Sequence, residues 1–386
     1  MVGRMRLLHT ADWHLGRSLG GHSLQEEQAE LLAVQLPRIV RDTAPDAVLL
    51  AGDVFDRAVP PAEAVRLLDE VLSELVLGLG VPVVIIPGNH DEARRVGFGA
   101  RLLAAARLHI VQSPCGEAIP ITDREGRRAT VVACGYATPL ALAREPSLAE
   151  ARFADHDGAF AALAPLLHGL CPAEGPRVLV AHAFVAGGAE SPLSERALSV
   201  GGTGAIDAAR FAGFDYVALG HLHRPQSLLG GRLRYSGSPF PYSVEEADHA
   251  KSVTLVELGP AGAPRIEEIP LAPRHGLRVL TGRFAALHET EGPAREDYVA
   301  LVLTDPAPVP EAQRRLAEVF PRIVGLRYAG ERAEAGRLAA PGAAARIARP
   351  LDLFGRFHAE LRGAPLPEEA RPALVGAIEA AEAAGH

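Results

Sequence analysis

The chain has 386 residues, 48% of them apolar, which is enough for two or three domains with ordinary cores and excludes a disordered or fibrous protein. A net charge of −8 and a pI near 6.0 give no whole-molecule attraction to nucleic acid, so any such binding has to be local. Cys115, Cys134 and Cys171 stand in no CxxC spacing, and there is neither an apolar leader nor an apolar run of about 18 residues, so a reducing cytoplasm and no membrane contact are expected.

Taken in order, Arg6 to His9 reads as a first strand that ends in Thr10-Ala11-Asp12-Trp13-His14-Leu15-Gly16. While the chain stays extended, side chains two apart share a face, so Asp12 and His14 are expected to point into one space. Ser23 with Glu26 reads as a capping box opening an apolar helical stripe, which Pro37 is expected to kink or break. Ala47 to Ala51 is a second buried strand, closed by Gly52-Asp53-Val54-Phe55-Asp56. A helix from Pro60-Pro61 to about Leu77 precedes a third strand, Val83 to Ile86, which Pro87-Gly88 stops before Asn89-His90-Asp91. Three strands separated by two helices predict a parallel β-α-β-α-β unit whose strand ends share one rim, carrying Asp12, His14, Asp53, Asn89 and His90 together.

Further on, Thr130 to Ala133 and Arg177 to Ala181 read as strands around an alanine-rich helix near 149–170, the second strand ending in His182. Tyr216 to Gly220 ends in His221-Leu222-His223, where period-two geometry is expected to put both imidazoles on one side. Leu233 to Ser236, Ser252 to Leu258 and Arg265 to Ile269 read as a more antiparallel segment. The chain's single lysine, Lys251 among 39 basic residues, is read as part of a genome-wide composition bias. From about Gly276, strands at 277–280, 298–303 and 323–328 with a helix at 309–320 suggest a small α+β domain. Residues 331–349 read as a linker, and apolar stripes in 350–386 as two short helices too small to bury both faces alone.

The ordered set Asp12-x-His14, Gly52-Asp53, Gly88-Asn89-His90-Asp91, His182 and Gly220-His221-Leu222-His223 resembles the motifs of the calcineurin-like metallophosphoesterases. The words His9 to Gly16, Ala51 to Asp56 and Gly237-Ser238-Pro239 narrow the likeness to the SbcD family, the nuclease subunits of bacterial SbcCD DNA repair complexes. That resemblance implies an α/β fold, a β-sandwich flanked by helices. It implies a nuclease domain at 1–275, a capping domain at 276–330, the linker, and a helical hairpin at 350–386 that binds an SbcC-type ATPase. It further implies that Asp12, His14 and His223 hold one divalent ion, that Asn89, His182 and His221 hold another, and that Asp53 bridges the two. Imidazole, carboxylate and amide oxygen without thiolate suit Mn²⁺ first, with Mg²⁺ or Fe²⁺ as alternatives, and such a pair clamps both oxygens of a phosphoryl displacement.

By the same resemblance His90 faces the scissile phosphate, where it can stabilise charge or protonate the departing oxygen, with Asp56 and Asp91 placed to orient its ring. Some relatives carry a histidine where this chain has Asp56, so their role is not carried over to it. His9 points away and is expected in the core. Arg17, Arg57, Arg94 and Arg95 lie near the motif loops and are candidates to grip DNA phosphates without reading bases. The expected activity is ATP-dependent 3′ to 5′ double-strand exonuclease and single-strand endonuclease cleavage, in a homodimer within a heterotetramer. A stand-alone small-phosphodiester hydrolase and a non-catalytic DNA-end scaffold are the competing readings. The first needs neither capping domain nor hairpin, and the second needs no complete ligand set.

Overall fold

The computed structural model describes residues 4–153, 155–172, 174–191, 204–259 and 263–329, together with 367 and 370. The N-terminal strands are β1 (Met5–Thr10), the short hairpin β2 (Ser18–Leu19) and β3 (His22–Ser23), β4 (Ala47–Ala51), β5 (Val83–Ile86) and β6 (Leu108–Ile110). Next come β7 (Glu117–Thr122), β8 (Arg128–Ala133), β9 (Arg177–His182), β10 (Tyr216–Gly220), β11 (Gln226–Leu228) and β12 (Leu233–Tyr235). β13 (Ser252–Leu258), β14 (Arg265–Pro270), β15 (Leu277–Gly282), β16 (Tyr298–Leu303) and β17 (Ile323–Tyr328) complete the set.

Two six-stranded sheets, ordered β14-β13-β1-β4-β5-β6 and β11-β12-β10-β9-β8-β7, stack face to face. Within the first, β1, β4, β5 and β6 are parallel, as the β-α-β-α-β reading requires, and β8, β9, β10 and β12 are parallel in the second. Strand alternation builds the layers. Leu7, Leu49, Val84 and Ile86 meet Val131, Val178, Val180 and Tyr216 between the sheets, while Leu8, Val48, Leu50 and Ile85 face the helices on the outer side. Because both faces are covered, β4 and β5 are buried at every residue.

The first helical region runs from Gln25 to Thr43 without the break expected at Pro37. A π-helical turn over Glu30–Gln35 comes just before it and hands the Leu36 N–H to the Leu31 carbonyl ahead of the proline, which has no N–H to offer. The capping box does not form either. Leu24 is the cap residue, and Ser23 lies in β3 with its hydroxyl 3.3 Å from the Gln25 N–H.

The antiparallel run expected over 233–269 is divided between the sheets. β12 joins the second sheet parallel to β10, whereas β13 crosses to the first and lies antiparallel between β1 and β14. Turn residues signal a reversal but not which sheet receives the next strand, so local sequence could not separate these outcomes.

The strands β15-β16-β17 form a small third sheet, with β16 buried throughout and the helix expected at 309–320 reduced to Ala312–Leu316. Leu277 and Tyr298 join the core on the outer side of the first sheet, and His22 Nε2 lies 3.2 Å from the Ile323 carbonyl. The described residues up to Arg327 make one compact unit. The expected linker at 331–349 and helical hairpin at 350–386 lie outside the described residues, apart from 367 and 370. Among the described residues no helix is long and apolar enough to cross a membrane.

Candidate metal centre

Asp12 and His14 share a site, but not through the extended spacing expected of them. β1 ends at Thr10, and Asp12 (φ 53°) and His14 (φ 44°) are both left-handed, as is Asp53 (φ 49°) after β4. Non-glycine residues adopt such backbone only where surroundings enforce it. Here the two loops are laced together. Asp12 N–H donates to the Gly52 carbonyl, His14 N–H to that of Asp53 and Leu15 N–H to that of Val54, each at 3.0 Å.

The second sheet delivers His182 at the end of β9 and the His221 loop after β10. Two motif glycines let the rims meet. A Cβ at Gly220 would collide with the Ala51 carbonyl, and one at Gly52 with the His182 ring; within the first sheet, one at Gly88 would collide with the Asp53 carboxylate. His221 (φ 106°) and His223 do not act as the expected same-sided pair. They part into two groups instead.

In one group, His14 Nε2 lies 3.1 Å from His223 Nε2, and ligand atoms of Asp12, His14 and His223 all fall within 4.8 Å of one another. In the other, Asn89 Oδ1 lies 2.8 Å from His182 Nε2 and 3.2 Å from His221 Nδ1. Asp53 faces both groups. Its Oδ1 accepts the His90 N–H at 2.9 Å, leaving Oδ2 at 3.5 Å from both His14 Nε2 and His182 Nε2. Asp12 Oδ1 also spans the groups by accepting the His221 N–H at 2.9 Å.

Electrostatics keep these imidazoles neutral. Burial, reinforced by the neighbouring rings of His223 and His90, holds His14 well below its ordinary pKa, and burial with His182 and His223 does the same to His221. Burial also lowers His182 and His223, against the opposing pull of Asp53 and Glu246 respectively. Neutral His182 must donate Nδ1–H to the Ala51 carbonyl at 3.0 Å, which leaves its bare Nε2 facing the Asn89 oxygen. Two lone pairs at that distance are an arrangement that a shared cation resolves. Uncharged nitrogen, carboxylate and amide oxygen without sulfur fit hard or borderline divalent ions.

His90 stands beside both groups. Its Nδ1 meets the Asp56 backbone carbonyl at 2.9 Å, its ring packs edge-on to His14 at 4.7 Å, and its buried Nε2 has no hydrogen-bond partner. The carboxylates expected to orient this ring are engaged elsewhere. Asp56 Oδ1 accepts from Arg17 Nη1 at 2.9 Å, and Asp91 receives the N–H groups of Val54, Phe55 and Gly88, each at 2.9 Å. Burial, together with the Asp53 charge, pushes Asp91 up to about 7 despite those three donors.

The sequence of residues 5–225 matches the calcineurin-like phosphoesterase family, and residues 273–361 match a family described as the type 5 capsule protein repressor C-terminal domain. A Rhodobacter capsulatus protein that bears the name of the SbcD component of nuclease SbcCD is 36% identical, with 83% of this chain aligned to 87% of that one. Proteins of the same name are 38% identical in Bacillus subtilis, over 69% of this chain and 70% of that one, and 30% identical in Staphylococcus saprophyticus, over 83% and 84%. The chain belongs to the SbcD family of calcineurin-like phosphoesterases. As an SbcD-family protein it is a metal-dependent hydrolase, and its His/Asp clusters are the groups able to hold divalent ions.

Sequence reading missed the residues that brace this SbcD-family site. Fully buried Gln28 donates to the His14 carbonyl at 2.8 Å and to that of Trp13 at 3.1 Å, and accepts the Gly16 N–H at 3.2 Å. Tyr242 donates to the Trp13 carbonyl and packs edge-on to His14 and His223 at 5.3 and 5.6 Å. Buried Glu246 lies 3.0 Å from His223 Nδ1 and 2.5 Å from Lys251 Nζ. Burial works to raise the Glu246 pKa, but His223 and Lys251 outweigh it and hold the carboxylate far below its usual range. One signal for this cluster was visible in the sequence, namely a lone lysine among 39 basic residues. Of the arginine candidates, Arg17 is tied to Asp56 and lies over the Tyr242 ring at 5.2 Å, while Arg57, Arg94 and Arg95 are exposed.

Proposed function

We propose that the chain is a two-metal DNA nuclease subunit. Asp12, His14, His223 and Asp53 hold one ion, Asn89, His182, His221 and Asp53 the other, with Mn²⁺ the preferred metal and Mg²⁺ or Fe²⁺ the alternatives. The observation that carries this reading is the meeting of six oxygen and nitrogen donor residues from two sheets around the Asp53 carboxylate they share, with the bare His90 nitrogen at their edge. When bound, such ions supply Lewis-acid charge to a phosphodiester and acidify water. The protein's part is to fix the donors on strand ends and to keep their imidazoles unprotonated. His90 contributes the mobile proton. With Nδ1–H tied to the Asp56 carbonyl, a proton acquired at Nε2 is the one available to a departing 3′ oxygen.

The finer organisation is part of the same proposal. Residues 1–275 form the nuclease domain, 276–330 a cap, and 350–386, beyond the linker at 331–349, dock an SbcC-type ATPase that controls ATP-dependent exonuclease and endonuclease cleavage in the cytoplasm. Two copies of the chain join two ATPase subunits. Exposed Arg57, Arg94 and Arg95, together with Arg17, bind DNA phosphates without sequence preference. An acidic chain with only local basic loops holds DNA weakly, which favours a DNA-gripping partner.

Linear and hairpin DNA, incubated with Mn²⁺, Mg²⁺ or chelator, with and without the ATPase partner and ATP, test this reading. Metal-dependent cleavage is expected. Turnover of a small phosphodiester with none of DNA under any condition would replace the reading with a stand-alone phosphodiesterase. His90→Ala is expected to lower cleavage by about 10²- to 10⁴-fold while leaving metal binding intact, and an undiminished rate would remove His90 from its role.

A further inference from the structure

His223 carries two ring nitrogens, and only one faces the other donors. Nε2 lies 3.1 Å from His14 Nε2, and Nδ1 points away to Glu246 Oε1 at 3.0 Å. Which nitrogen holds the proton decides whether the inward one is a donor of electrons or a blocked N–H. Behind Glu246 the structure builds a buried polar network. Lys251 Nζ touches Glu246 Oε2 at 2.5 Å, the His223 carbonyl at 2.9 Å and Ser238 Oγ at 2.9 Å, and the Ser238 hydroxyl in turn donates to the Phe240 carbonyl at 2.8 Å. Glu246 and Lys251 are 0% and 6% exposed, so both charges are held out of water and need a reason. The network also joins the sheets, since His223 follows β10 of the second and Lys251 immediately precedes β13 of the first.

We propose that the Glu246–Lys251 pair is a positioning device that fixes the tautomer of His223, with the proton on Nδ1 and a bare Nε2 turned toward Asp12 and His14. The argument is one of hydrogen-bond sense. An ammonium can only donate, so Lys251 requires oxygen at Oε2, and a carboxylate beside it presents a second oxygen that can only accept. His223 Nδ1 must therefore donate. Any proton between His14 Nε2 and His223 Nε2 then belongs to His14. The geometry also explains why the chain's one lysine is not an arginine. Three acceptors converge on a single compact nitrogen, a demand that a planar guanidinium with five donors does not meet.

The consequence for metal binding rests on the proposed function above, whereas the tautomer does not, so the two are tested separately. In the full-length, metal-stripped protein labelled with ¹⁵N-histidine, long-range ¹H–¹⁵N spectra are expected to show His223 protonated at Nδ1 and bare at Nε2, the ring being assigned by its loss in His223→Gln. A proton on Nε2 overturns the proposal. Glu246→Gln reverses the logic, because Lys251 holds the amide oxygen and turns the NH₂ toward Nδ1. The proton then moves to Nε2, and Mn²⁺ titration is expected to show one of two equivalents weakened by about 10- to 100-fold. The double variant Glu246→Gln with Lys251→Met frees the amide to flip, which is expected to restore Nδ1–H and about tenfold of the lost affinity. Equal loss in the single and double variants would mean a structural role only and would overturn the assignment. Absence of Mn²⁺ binding to the unmutated protein would overturn the proposed function, while the spectra still decide the tautomer.

Discussion

The two halves of the site are built by different means. His14 and His223 are backed by side chains from distant segments, namely Gln28, Tyr242, Glu246 and Lys251. Behind His182 and His221 stand main-chain or loop contacts, the Ala51 carbonyl for one ring and the Asp12 carboxylate on the backbone of the other. The first half thus depends mainly on side chains that mutation can remove singly. The second leans more on the strand ends, through the Ala51 carbonyl, and shares the Asp12 carboxylate with the first.

That contrast can be broken at its joint. Among the described residues Asp53 is the carboxylate at 3.5 Å from imidazoles of both halves, so Asp53→Asn is expected to impair both together. Activity should fall by at least about 10³-fold, equivalent to ~4 kcal/mol of barrier, and calorimetric titration should show both Mn²⁺ equivalents weakened. Loss of only one would mean that Asp53 serves a single half.

A smaller change should separate the halves. Gln28→Leu removes the donor to the Trp13 and His14 carbonyls in a fully buried position, at a cost of about 1–3 kcal/mol per group left unsatisfied. Denaturant melts should register that loss, and metal titration should show the His14 half weakened with the His182 half spared. Equal weakening of both would erase the distinction between side-chain and main-chain support.

The smallest effect is one of pH and lies outside both halves. His9 is buried with Nδ1 at 2.8 Å from the Tyr216 hydroxyl, and burial together with the Arg234 charge lowers it to about 3. Between pH 6.5 and 3 the unfolded chain takes up a proton that the folded chain refuses, so stability falls as pH drops through that window. From pH 7 to pH 5 the His9 share is on the order of 2 kcal/mol. His9→Gln should therefore lose less stability than the unmutated protein over that interval in paired denaturant titrations. An identical loss would assign the acid sensitivity to other groups.

Much of this was legible in the residues. Short apolar runs marked the strands, several of them stopped by glycine or proline, and the polar words after them marked the rim, because a parallel unit sends its strand ends to one edge. His9 was placed in the core by its position within β1, and its partner Tyr216 lies across on the second sheet. The spacing arguments were less secure. Asp-x-His and His-x-His suggested shared faces on extended chain, but left-handed residues at Asp12, His14 and His221 redirect those side chains, and His221 and His223 serve different halves. Backbone of that kind is imposed by the opposing loops and has no local signature beyond the neighbouring glycines.

What the sequence determined by itself was the ordered set of Asp, Asn and His motif residues and the strand that each one follows, because apolar runs and turn chemistry are local properties. What only the tertiary structure decided was which donors meet and what holds them. Sheet assignment of β12 and β13, the approach of Gly220 to Ala51, and the convergence of Gln28, Glu246 and Lys251 on the first half all join residues far apart in the chain. No periodicity encodes such contacts, since they follow from how two twisted sheets stack once their inner faces exclude water.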